Sequence, residues 1–176
     1  MNDKEKLQDC RKRLTTVLTD HQRLTHEALF NRKEIGMAAV RRMMQAANQP
    51  PSDFSTALLY RELVREEYDV ELNRAWNAIL ALRTGTKVYD EDGNEVTVAD
   101  AHVAMLDAIA DTIVTLQGLA EGLGYDLVGG YNEVMASNLT KIQPDGTVHK
   151  RPDGKILKPV SYRPPVLIKY IGAQAL

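Results

Sequence analysis

The stretch from Ala99 to Leu123 constrains this chain more than any other. It is apolar on most of its faces, and it is bounded by Thr97 and Asp100 at one end and by Gly122 and Gly124 at the other. A Thr three residues ahead of an Asp resembles a helix start, where each side chain can satisfy a free backbone N–H of the first turn. The glycines supply the backbone freedom that ends a helix. A helix this long and this apolar belongs in the centre of a bundle. Two aspartates, Asp107 and Asp111, are nevertheless embedded in it one turn apart, among Met105, Leu106, Ile109, Ile113, Val114 and Leu116. A buried carboxylate costs several kcal/mol unless it is paired or ligates a cation. No lysine or arginine lies between Lys87 and Lys141, so the compensating charge must come from elsewhere in space.

The rest of the chain arranges itself around that helix. From Lys4 to about Ala47, apolar residues recur at helical spacing, and one or two helices end before Pro50 and Pro51. A second amphipathic helix is expected from a cap at Ser52 or Ser55 to about Leu82, burying Leu58, Leu59, Leu63, Val64, Leu72, Ala75, Ile79 and Leu82. Between Thr86 and Val98, two short β-prone runs flank Asp92-Gly93, which reads as a small inserted β-hairpin. A further helix is expected from Asp126 to about Leu139. The tail after it carries the turn sequences Pro144-Asp145-Gly146 and Pro152-Asp153-Gly154, with a short helix after Pro165. The fold class expected is all-α: a four-helix-bundle-like single domain over 1–176, with an N-terminal helical extension (1–50), central helices (52–141) and a basic tail (142–176).

Composition narrows the chemistry. A formal charge of -2 gives no field that would draw in a nucleic-acid polymer or an acidic membrane. The lone cysteine, Cys10, excludes an internal disulfide and a cysteine zinc site, and it fits a reducing, cytoplasmic setting. The first residues are charged, unlike a signal peptide, and no apolar stretch approaches the ~20 residues a bilayer span requires.

Carboxylates remain as the chemistry-bearing groups. In Arg65-Glu66-Glu67-Tyr68-Asp69-Val70-Glu71, helical geometry places Glu67 and Glu71 about 40° apart on one face, with Glu66 beside them. Taken alone, that run reads as a solvated face with Arg65 and Arg74. Taken with Asp107 and Asp111 on a facing helix, it makes an oxygen-only cage of the kind that selects the hard cation Mg²⁺, with Mn²⁺ able to substitute. The histidines have no ligand spacing, Gly129-Gly130 lacks the Lys and Ser/Thr of a phosphate loop, and Trp76 and Tyr68 fit helix packing better than base stacking.

The acidic run on one helix and the acidic pair on the next resemble the MazG-like all-α nucleoside triphosphate pyrophosphohydrolases, whose hallmark is Glu-Glu-x-x-Glu followed by an acidic pair ending in Asp. The resemblance extends through Gly118-Leu119-Ala120, Leu123-Gly124-Tyr125-Asp126, Glu133-Val134 and Ser137-Asn138-Leu139-Thr140-Lys141 to Arg151-Pro152-Asp153-Gly154-Lys155-Ile156-Leu157-Lys158-Pro159. It covers about Leu58 to Pro165. Two departures stand out: the third glutamate falls on Glu71 in place of Val70, and Ala108 occupies the usual acidic place in the second pair.

The resemblance implies Mg²⁺-dependent conversion of a nucleoside triphosphate, dUTP or another dNTP, to its monophosphate and pyrophosphate. It implies Glu66, Glu67, Glu71, Asp107 and Asp111 as metal ligands, with Glu66 or Glu67 as general base. Asn138, Lys141, Arg151, Lys155 and Lys158 would bind the substrate, and a homodimer or homotetramer is implied. Phosphoribosyl-ATP or alarmone hydrolysis on the same scaffold is the alternative activity. A helical interaction module is the non-enzymatic one.

Overall fold

A computed structural model gives the structure of the chain, and it describes residues 36–172. The chain falls into two compact units, Met1–Met43 and Met44–Leu176. Residues 4–35 of the first expected helix lie outside the described residues. What is described of that helix is α1, Met37–Ala46, with Met37, Val40 and Met44 as its buried face at three- and four-residue spacing.

In the second unit, α2 (Phe54–Arg65), a π-helical segment (Glu66–Leu72) and α3 (Asn73–Arg83) follow one another without a break. The cap is Asp53, not Ser52 or Ser55: its carboxylate accepts the Thr56 N–H at 2.8 Å. Ser52 is excluded because its backbone is drawn into the left-handed region (φ 53°) while its N–H donates to the Glu121 carbonyl. That same bond ties the start of α2 to the end of α4, Val98–Gly122. α4 begins at the expected capping box of Thr97 and Asp100 and packs against α2, the π segment and α3.

The α2–α4 contact is made by small residues. A Cβ on Gly118 would stand 2.0 Å from the Tyr60 ring, and one on Gly122 would stand 2.7 Å from the Ala57 nitrogen, so the two helices meet almost backbone to backbone. This reverses part of the expected stripe. Thr56, Ala57, Tyr60, Ala75 and Ile79 are the buried residues, whereas Leu58 and Leu59 are exposed.

α4 also departs from expectation on its outer side. Val103 and Leu106 are each 68% exposed, with Ile109, Ile113 and Leu116 beside them. Contrary to the sequence reading, α4 is long and apolar enough to cross a membrane by length and composition alone. α4 packs along the one continuous helix made by α2, the π segment and α3, and much of the rest of its surface is exposed, Asp107 and Asp111 included, so it is not the buried bundle centre that the sequence led us to expect.

After α4, Gly124 turns the chain with φ 70° into α5, Leu127–Leu139, whose cap Asp126 accepts the Gly129 N–H. The tail returns along α5. Glu133 accepts the Val166 N–H at 3.0 Å and pairs with Lys169 at 3.2 Å, while the Tyr170 carbonyl accepts the Asp126 N–H. Gly129 is needed at this crossing, because a Cβ there would meet the Tyr170 ring at 2.4 Å.

The short helix expected after Pro165 is a 3-10 turn, Ile168–Tyr170. The fold is all-α: no strand forms among the described residues. The expected hairpin is a loop closed by one antiparallel bridge, Tyr89 with Glu95, and the tail has a second such bridge, Lys150 with Ile156. The Asp-Gly turn forms as anticipated, with Gly93 at φ 81°. Asp90 then takes the N–H groups of Asp92 and Asn94 onto its carboxylate, in place of a longer ladder.

Candidate active site

The contacts of Tyr60 with Gly118 and of Ala57 with Gly122 fix an antiparallel register between α2 and α4. Carried along both helices, that register brings Glu67 level with Asp111 and Glu71 level with Asp107. All four carboxylates line one open cleft of about 1060 Å³. The volume is on the scale of sites for nucleotide-sized molecules.

The π segment positions the first pair. A π turn takes one residue more than an α turn, so an inserted residue is absorbed inside it without rotating the helix beyond. Glu66 to Glu71 is one residue longer than the Glu-Glu-x-x-Glu spacing, and the π segment spans those residues, Glu66–Leu72. Asn73 closes the segment by donating its side-chain amide to the carbonyls of Tyr68 and Asp69, both at 3.1 Å. Ala75 and Ile79 then continue the buried face.

Glu66 goes elsewhere. It lines a separate recess with Glu62, Arg65, Asp69 and Val70, so the structure brings together four of the five expected ligands.

The cleft is strongly acidic. Its far wall is the loop over 88–96, which adds Asp90, Glu91, Asp92 and Glu95. Among the described residues Arg74 is the only cation on its lining, held between Glu71 at 3.4 Å and Glu91 at 3.6 Å. Sequence reasoning left the role of this loop open, although Asp90-Glu91-Asp92 is itself the signal that it belongs to an acidic site.

Partial burial pushes the Glu67 carboxyl above its ordinary range, and the negative charges of Asp111, Glu66, Glu71 and Asp107 push it further in the same direction. A cation among these groups would remove that repulsion. The all-oxygen donor set suits a hard divalent ion, with Glu67, Glu71, Asp107 and Asp111 as its holders. No three His, Cys, Asp or Glu side chains among the described residues stand as a preformed metal cage, so such an ion would have to draw the carboxylates inward.

The expected substrate-binding residues divide into two groups, and none lines the acidic cleft. Asn138, Lys141 and Lys158 converge at the end of α5. The Asn138 Oδ1 accepts the Lys141 Nζ at 2.7 Å, and the ammonium groups of Lys141 and Lys158 lie 5.8 and 4.7 Å from the centre of the Tyr162 ring. Arg151 and Lys155 belong to the turn around Asp153, where Arg151 pairs with the Asp153 carboxylate and the Lys155 N–H donates to it.

Tyr162 was not singled out from the sequence. Ser137, buried in α5, holds it there: the Ser137 Oγ donates to the Arg163 carbonyl at 2.7 Å and lies 3.2 Å from the Tyr162 hydroxyl. Thr140 adds a second tie by accepting the Arg163 N–H.

Against protein-family models and against curated proteins, the chain finds no match.

Proposed function

We propose that this protein is a Mg²⁺-dependent nucleotide pyrophosphohydrolase of the MazG-like type, converting a nucleoside triphosphate, dUTP or another dNTP, to the monophosphate and pyrophosphate. The observation that carries the reading is the convergence of Glu67, Glu71, Asp107 and Asp111, from two antiparallel helices, on one acidic cleft. The motif likeness of the tail supports it. So does the π segment, which accounts for the one-residue departure of Glu71 from the family spacing.

Bound Mg²⁺ would neutralise charge on the phosphate oxygens and lower the pKa of a water. On this reading Glu67, which lines the cleft where Glu66 does not, would take the proton of that water. Glu66, in the neighbouring recess, acts on this reading through its charge on Glu67. Asn138, Lys141 and Lys158 receive the phosphates, with Arg151 and Lys155 on the adjoining turn.

The cleft and this cluster have no lining residue in common, which favours a homodimer or homotetramer in which neighbouring subunits complete one pocket. The exposed apolar side chains of α4 give such an assembly a surface to bury. A monomer with full activity in light scattering would count against it.

The test is pyrophosphate release from a panel of NTPs and dNTPs, with Mg²⁺ or EDTA, using wild type and a Glu67→Gln, Asp111→Asn double variant. Release that needs the metal and is lost in the folded variant, with stoichiometric monophosphate, is the expected result. Release only from phosphoribosyl-ATP or an alarmone would move the substrate and keep the chemistry. No release and no metal binding would overturn the reading in favour of an interaction module.

A further inference from the structure

The end of α5 and the segment returning over it form a cluster whose charges are left open. Lys141 and Lys158 both approach the Tyr162 ring within the ~6 Å over which an ammonium is attracted by an aromatic face. Neither lysine is ion-paired among the described residues, although cations nearby in the tail are: Arg151 with Asp153, and Lys169 with Glu133. Two like charges held against one ring repel each other, and an anion placed between them would relieve the repulsion. Asn138 fits the same ligand. Its Oδ1 is occupied by Lys141, which leaves its Nδ2 as a further donor.

We propose that Tyr162 is a positioning residue, whose ring, fastened to α5 through Ser137, holds the Lys141 and Lys158 ammonium groups side by side as a receptor for a pyrophosphate group. The inference rests on the reading of the tail as the phosphate-receiving part of the protein. It adds a residue that touches no phosphate itself but decides where two cations stand. A lysine ammonium is a point charge on a flexible stem, so without a fixed surface it confers little geometry. The ring supplies that surface. The fixing is local: Ser137 is buried, its Oγ reaches both the Arg163 carbonyl and the Tyr162 hydroxyl, and Thr140 accepts the Arg163 N–H at 3.0 Å. The phenol records the arrangement. The phenol is held below the ordinary tyrosine range by the polar contact with Ser137, when that hydroxyl turns its proton from the Arg163 carbonyl to the phenolate, and by the charges of Lys158 and Lys141 and a hydrogen bond from Lys158.

The experiment is calorimetric titration of the full chain with inorganic pyrophosphate in EDTA, so that neither hydrolysis nor the acidic cleft enters the readout. Wild type should bind. Tyr162→Phe keeps the ring but loses the hydroxyl that meets Ser137, so it should weaken binding about two- to threefold, whereas Tyr162→Leu, which loses the two cation–ring contacts as well, should weaken it about tenfold. Limited proteolysis of the tail shows whether Tyr162→Leu still folds. A second variant, Lys158→Met, acts on an exposed residue and avoids that question. It should raise the Tyr162 phenol pKa in an ultraviolet titration and weaken pyrophosphate binding, and the loss of binding should be smaller in a Tyr162→Leu background, a coupling that a purely structural tyrosine would not show.

Wild-type binding that is absent overturns the proposal. So does Tyr162→Leu binding at wild-type strength, or Lys158→Met changing neither binding nor the phenol. Pyrophosphate binding that depends on Tyr162, in a protein that hydrolyses no nucleotide, would uphold this inference while removing the hydrolase reading. Hydrolysis with binding indifferent to Tyr162 would do the reverse.

Discussion

Gly118→Ala tests the helix contact on which the acidic cleft depends. A methyl group there would meet Tyr60 Cε1 at 2.0 Å, Cδ1 at 2.2 Å and Cζ at 2.5 Å, well inside ordinary van der Waals contact. The ring cannot absorb this by a small rotation, because Tyr60 is only 7% exposed and its hydroxyl donates to the Gln49 Oε1 at 3.0 Å. Overpacking a close contact costs about 1–3 kcal/mol, and loss of the hydrogen bond costs about 1 kcal/mol more. Replacing Gly by Ala in a helix interior returns about 1 kcal/mol.

The balance is a destabilisation of about 2 kcal/mol, or a fall in Tm of about 4–8 °C for a unit of this size. Gly118 lies two turns from Asp111, so splaying α4 from α2 at this level should also weaken Mg²⁺ binding at the cleft. The assay is thermal unfolding followed by circular dichroism, with and without Mg²⁺. In a Tyr60→Ala background the same substitution should turn neutral or stabilising, because the ring is gone and the helix-propensity gain remains. A Gly118→Ala protein more stable than wild type, with Tyr60 present, would refute the packing argument.

Two further predictions concern the cleft itself. Glu67 binds its proton more tightly in the folded chain than in the unfolded one, so its charge opposes folding above its raised pKa, and that opposition disappears below the ordinary carboxylate range. In EDTA at neutral pH, Glu67→Gln should therefore raise Tm, by about 1–3 °C for a solvent-screened cluster. The gain should fade as pH falls through the carboxylate range; a variant less stable than wild type at neutral pH would contradict it. Deleting Val70 should be tolerated, because the π segment can revert to an α-helix, restoring Glu-Glu-x-x-Glu and leaving Ala75 and Ile79 on the buried face. Deleting Asn77, in the regular α3, should unfold the protein by turning Ile79 outward by about 100°. If both deletions unfold it on thermal melting, the π segment is not an absorbed residue.

The elements were legible in the sequence wherever a local signal decided them. Thr97 with Asp100 started α4, Gly124 ended it and Asp126 capped α5, each where the residue type required. The reading failed where tertiary contact overrode a local preference. Ser52 is as good a cap as Asp53 by type, but its N–H is committed to Glu121, and its backbone adopts a conformation unsuited to capping. Leu58 and Leu59 have the periodicity of a core stripe. The helices instead approach so closely at Gly118 and Gly122 that only Ala57, Thr56 and the flat Tyr60 ring fit between them.

The candidate site followed the same division. Residue type announced the carboxylates, and the antiparallel register of α2 and α4 decided which of them meet: Glu67 and Glu71 with Asp107 and Asp111, while Glu66 turned into the recess with Glu62. A regular helix wheel already sets Glu66 about 100° from Glu67 and about 140° from Glu71, so its separation from that pair was legible; which carboxylates of α4 they would face was not, because that depends on the register of the two helices. The tail shows the complementary case. Its lysines were visible as charge, but what distinguishes Lys141 and Lys158 from Arg151 is the company each keeps: an aromatic ring for the first two and an aspartate for the third. A cation already neutralised by Asp153 has less attraction left for a phosphate than two that are unpaired. Of the four cations expected to bind substrate, Arg151 is therefore the one whose loss should weaken that binding least.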